Sequence, residues 1–72
     1  MSIYEEILKL VNKEDISDQV IFTAIGLLDG YSCNPVHDEI FDLLFRFLVS
    51  KNYILLVRVK QICLDNIGQV NA

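Results

Sequence analysis

The sequence predicts an all-α fold, a compact bundle of about four short antiparallel helices. Three observations carry this expectation. Apolar residues recur at helical spacing in four segments, and capping or breaking residues bound each one. The polar breaks between them are short, as in antiparallel bundles. One stretch alone, Tyr53 to Val59, has strand-like composition, and an isolated strand has no ladder to join. A chain of 72 residues supports one domain at most, spanning residues 1–72.

Helix one is expected over 3–12. Ser2 and Glu5 fit a capping box, in which the Ser2 hydroxyl accepts from an amide three residues on and Glu5 reaches back. Ile3, Ile7, Leu10 and Val11 then share a face. Glu5 and Glu6 precede Lys9 and Lys13, an order that suits the helix dipole. The polar run from Asn12 to Asp18 ends this helix, and Ser17 or Asp15 caps the next.

Helix two is expected over 18–29, with Val20, Ile21, Ala24, Ile25 and Leu28 inward. Gly26 inside it suggests close approach of a neighbouring helix, and Gly30 supplies a left-handed stop. Helix three is expected over 35–49. Asn34 is a favoured N-cap, and Pro35 at the first helical position loses no hydrogen bond. This helix is apolar almost all round, with Glu39, Asp42 and Arg46 as its one polar stripe, so it is the expected central element.

Helix four is expected over 53–67. Its inward set is Tyr53, Leu56, Val57, Val59, Lys60, Cys63, Leu64 and Ile67, with Lys60 snorkelling, and Gly68 ends it. Strand remains the competing assignment for Tyr53 to Val59.

Composition limits the function. Hydrophobic residues make up 53% of the chain. A chain this short buries only about 60% of the surface it exposes unfolded. The excess predicts a protein partner, a homo-oligomer, or both, and Phe41, Phe45 and Phe47 are the candidate oligomer contacts. Charge is split along the chain. Residues 1–42 hold nine acids against Lys9 and Lys13, and residues 43–72 hold Arg46, Lys51, Arg58 and Lys60 against Asp65. Such asymmetry steers a charged partner, unless folding mixes the two halves in space.

Catalysis is not expected. The three glycines stand apart, so no phosphate-binding loop forms, and one histidine among scattered acids makes no Ser–His–Asp set. The segment YSCNPVHDE holds Cys33 and His37 four residues apart. These two are weak metal candidates. A zinc site needs four ligands, which would require Asp38 and a Cys63 arriving from the last helix. A thiol enzyme built on Cys33 with His37 as base would also need a substrate cleft that so small a chain has little room for. No cofactor is expected. The leader has acids where a cationic signal region would be, and no uncharged apolar run reaches the ~18 residues of a membrane span, so a cytoplasmic protein with reduced cysteines is expected.

The leading expectation is a non-enzymatic interaction protein that binds and restrains a basic protein partner. Glu14, Asp15, Asp18, Asp29, Asp38 and Glu39, at the turns joining helices one, two and three, are its candidate contacts. The compact acidic plan resembles bacterial immunity proteins in size and charge, and implies an immunity-like or antitoxin-like role. The alternative is a homodimeric adaptor or transcription regulator that touches nucleic acid through Lys51, Arg58 and Lys60, with Tyr53 able to stack. A net charge of −4 disfavours it, because phosphate contacts dominate such binding.

Overall fold

The computed structural model describes residues 2–29 and 34–70, the side chains of the last two excepted. The described residues form four helices and no strand: α1 (Ile3–Val11), α2 (Asp18–Asp29), α3 (Pro35–Ser50) and α4 (Tyr53–Val70). The stretch Tyr53 to Val59 is helix.

Capping places the helix starts. Ser2 and Glu5 complete the capping box, with the Ser2 hydroxyl accepting from the Glu5 amide and the Glu5 carboxylate accepting from the Ser2 amide, both at 3.3 Å. Ser17, rather than Asp15, opens α2, its hydroxyl accepting from the Val20 amide at 3.4 Å. The Asn34 side chain accepts from the amides of Val36 and His37 at 2.9 and 3.3 Å, with Pro35 in the first turn. Asn52 does the same for α4, accepting from Ile54 at 3.1 Å. These are among the amides that a helix leaves without internal partners.

The stops were less visible. The α3 helix ends on Lys51 in the left-handed region at φ 57°, its N–H donating to the Phe47 carbonyl at 2.7 Å. That conformation costs a non-glycine side chain about 1–2 kcal/mol. Gly68 does not end α4, which runs on to Val70. Its φ is not positive, so here glycine is an ordinary helical residue. Gly26 admits no close neighbour, since a Cβ built there would meet nothing within 4 Å. The expected stop at Gly30 lies outside the described residues.

The helices pack as an antiparallel ring. Each touches its two neighbours, α1 against α2 and α4, and α3 against α2 and α4, and no diagonal pair makes backbone contact among the described residues. The expectation of a central α3 is therefore corrected. Every helix gives one stripe to a shared interior: Ile7 and Val11; Ile21, Ala24 and Leu28; Ile40, Leu44 and Phe47; Leu56, Val59, Ile62 and Cys63. Each large side chain so buried contributes roughly 1.5–3 kcal/mol relative to exposure. The radius of gyration is 11.4 Å, near the roughly 11 Å expected of a folded chain this long.

Helix α4 is rotated from its expected setting. Leu56, Val59 and Cys63 face inward as anticipated, but Ile62 joins them while Tyr53, Val57 and Leu64 lie exposed. The helix is apolar on nearly every side, so periodicity alone does not choose which side is buried. Packing against α1 and α3 chooses it. No described helix is long and apolar enough to cross a membrane.

Candidate functional site

The antiparallel ring has two poles. Helices α1 and α3 start at one, where α2 and α4 end. The Tyr4 hydroxyl and His37 Nε2, 3.1 Å apart, tie the two starting turns together there. At the other pole Lys51 pairs with Asp18, joining the α3–α4 turn to the start of α2.

This topology divides the six candidate acids. Asp29, Asp38 and Glu39 are exposed at the starting pole, with Glu5 and Glu6 of the first turn of α1. Glu14, Asp15 and Asp18 are exposed at the opposite pole, beside Lys13 and with Lys51 on Asp18. The six therefore do not form one surface. Sequence reasoning omitted Glu5 and Glu6 from the acidic face. The signal was available: in an up-and-down bundle the first and third helices begin at the same pole, so acids in their first turns gather.

Folding also mixes the two charge halves. Lys51 pairs with Asp18, and Arg58 lies 3.6 Å from Glu39, each cation of the second half meeting an acid of the first. Arg46 holds Asp42 at 3.0 Å within α3. Such exposed pairs are each worth about 0–1 kcal/mol, but they reduce the charge each partner offers to solvent. Of the three cations considered for nucleic acid, Lys51 and Arg58 are paired and Lys60 is half-buried. Lys51 also lies 5.7 Å from the Phe47 ring centroid, and the exposed Tyr53 ring meets Phe47 edge-on at 5.3 Å.

His37, in the first turn of α3, is buried. Its ring meets Tyr4 in a T-shaped contact at 5.3 Å. Burial raises the Tyr4 hydroxyl above its ordinary pKa of 10, and Cys63 nearby adds to the rise while a hydrogen bond with Asn34 opposes it. Burial pushes the Cys63 thiol up to about 11. At neutral pH it is protonated and a poor nucleophile or ligand. Cys33 lies outside the described residues. Among the described residues no set of three or more His, Cys, Asp and Glu side chains comes together as a metal site. Tyr4, Asn34 and His37 link the starting turns of α1 and α3, with Cys63 of α4 near Tyr4.

The aromatic candidates separate too. Phe47 is 2% exposed and belongs to the core of its own chain, so it is withdrawn as an oligomer contact. Its position on the inner stripe with Ile40 and Leu44 is the reason. Phe45 is exposed and Phe41 half-buried, their ring centroids 4.8 Å apart. Other large apolar side chains were not anticipated at the surface: Phe22, Val49, Ile54, Val57 and Leu64. Compared with known proteins, the chain matches no family model, no curated protein and no solved structure.

Proposed function

We propose that this chain is a non-enzymatic interaction protein whose acidic pole binds and restrains a basic protein partner, in the manner of an immunity protein or antitoxin. The supporting observation is the meeting of Glu5, Glu6, Asp29, Asp38 and Glu39, exposed on three helices, at one pole. Charge gathered this way accelerates encounter with a cationic surface. On this reading Asp29, Asp38 and Glu39 are contacts, Glu5 and Glu6 join them, and Glu14, Asp15 and Asp18 are not. The protein works in the cytoplasm with reduced thiols and needs no cofactor. The nucleic-acid alternative has less support, because two of its three cations already face carboxylates.

The test begins with the partner retained from a lysate of the source cells, identified and expressed on its own. Stopped-flow mixing then compares Asp29→Lys/Asp38→Lys with Glu14→Lys/Asp15→Lys. The first pair of substitutions should slow association about tenfold at low salt, and the second should leave it nearly unchanged. Equal on-rates for the two variants, or a retained partner with no basic surface, would overturn the reading.

A further inference from the structure

The outer face of α4 carries a seam that the acidic-pole reading does not use. Ile54, Val57, Gln61, Leu64 and Gly68 follow one another at spacings of 3, 4, 3 and 4 residues. All five are exposed, Ile54 by 73%, Val57 by 62% and Leu64 by 52%, although the inner stripe of the same helix is fully packed. This 3–4 spacing, with Ile54, Val57 and Leu64 as its apolar members, is that of helices that pair along their length. In that frame Ile54, Gln61 and Gly68 take the a positions, and Val57 and Leu64 take the d positions. Tyr53 and Lys60 fall at g, and Arg58 and Asp65 at e.

We infer that this seam binds the α4 seam of a second copy, in parallel and in register, to make a two-fold dimer. The flanking charges suit that occupant and favour that direction over the antiparallel register in which Ile54, Val57 and Leu64 overlap most. In a parallel pair the g residue of one helix faces the e residue five positions on in its partner. Lys60 then meets Asp65 of the other copy, twice by symmetry, and Tyr53 meets Arg58. In the antiparallel arrangement that pairs Ile54 with Leu64 and Val57 with Gln61, the residues flanking the axis are Lys60 against Lys60, which repel, and Arg58 against Arg58, whose repulsion Glu39 beside each softens. That arrangement also sets the Gln61 amide against Val57. In the parallel pair the two Gln61 amides, each with Nε2 donating to its own Asp65 at 2.9 Å, meet and can exchange a further hydrogen bond, the usual role of a polar a-position residue in specifying register. Gly68, which neither ends the helix nor admits an internal neighbour, lets the two backbones approach at the end of the seam.

The contact is small. A standard interface covers about 800 Å² on each partner, roughly one sixth of the 4682 Å² that this chain exposes. Five layers of two helices cover less, so the expected dimer is reversible, with a dissociation constant on the order of 10–100 micromolar. The inference is independent of the acidic-pole reading. If both hold, the dimer presents two acidic poles side by side.

Sedimentation velocity on the intact chain, from about 5 to about 500 micromolar, tests it, with far-ultraviolet circular dichroism to follow folding. The wild type should pass from monomer to dimer across that range. Val57→Lys should remain monomeric throughout with its helix signal unchanged, since Val57 makes no part of the core. Lys60→Asp should weaken the dimer about threefold to tenfold, and Lys60→Asp with Asp65→Lys should restore it. A wild type still monomeric at about 500 micromolar overturns the inference, as does a dimer indifferent to Val57→Lys. A Lys60→Asp variant that dimerises more tightly overturns the parallel arrangement in favour of the antiparallel one.

Discussion

The inner and outer faces of α4 are made of nearly the same residue types and meet different fates. Leu56, Val59, Ile62 and Cys63 are shut inside the ring, whereas Ile54, Val57 and Leu64 stand in solvent. Hydrophobicity alone therefore does not decide burial in this helix. What decides it is which residues the neighbouring helices can cover at once. Inward residues hold the fold. Outward ones add nothing to that interior and are the residues proposed to pair between molecules.

The largest effect that separates the faces should come from Leu56→Ala. Removing that buried side chain should cost about 2–5 kcal/mol in urea unfolding, by lost transfer energy plus the cavity left behind. A loss under about 1 kcal/mol would mean that the inner face is less fully packed than its burial indicates. Next comes alkaline pH. The Cys63 thiol rises from the usual 9.0 to about 11 in the fold. Between these values the unfolded chain gives up its thiol proton while the folded chain keeps it. Stability should therefore be full below about pH 9 and fall toward pH 11, by up to about 2–3 kcal/mol. The raised Tyr4 adds to the loss in the same direction. Cys63→Ala should flatten part of this slope in urea melts taken across that range; an unchanged slope would remove the thiol from the account.

The outer face should respond weakly and in the opposite sense. Gly68→Ala meets no atom within 4 Å, and alanine is the better helix former, so it should stabilise dilute protein by about 0.5–1 kcal/mol. A loss instead would show that the backbone there is not plain helix. Smallest of all, Ile54→Gln should move dilute stability by no more than about 0.5 kcal/mol. Destabilisation as large as that of Leu56→Ala would end the distinction between the two faces.

Helix α1 shows what a sequence conveys well. Its capping box and its single apolar face leave one solution, and Ile7 and Val11 are buried as their spacing implies. The start of α3 was equally legible, because Asn34 followed by Pro35 has a direct backbone consequence. Helix α4 was harder. With apolar side chains on nearly every side, its rotation depends on partners that are remote in sequence, so Ile62 and Leu64 exchange their expected places. Phe47 and Phe45 looked equivalent for a related reason: two residues apart on a largely apolar helix, only the ring of four helices tells them apart. Gly68 was misjudged because glycine permits a stop without requiring one. Of the candidate site, the acids were visible as letters. Their division between two poles was a matter of topology, and charge counted along the chain could not express it.

The ring order has a practical consequence for anything attached to this protein. Helices α1 and α4 are neighbours, and the first begins where the other ends, at the pole that carries Glu5, Glu6, Asp29, Asp38 and Glu39. A polypeptide leading into α1 or away from α4 passes that acidic pole and would crowd the proposed partner there. The Lys51–Asn52 turn and the loop from Asn12 to Ser17 lie at the far pole. A fluorescent label is better carried on exposed Lys13, Glu14 or Asp15 of that loop, where it disturbs no helix cap and stays away from the acidic pole.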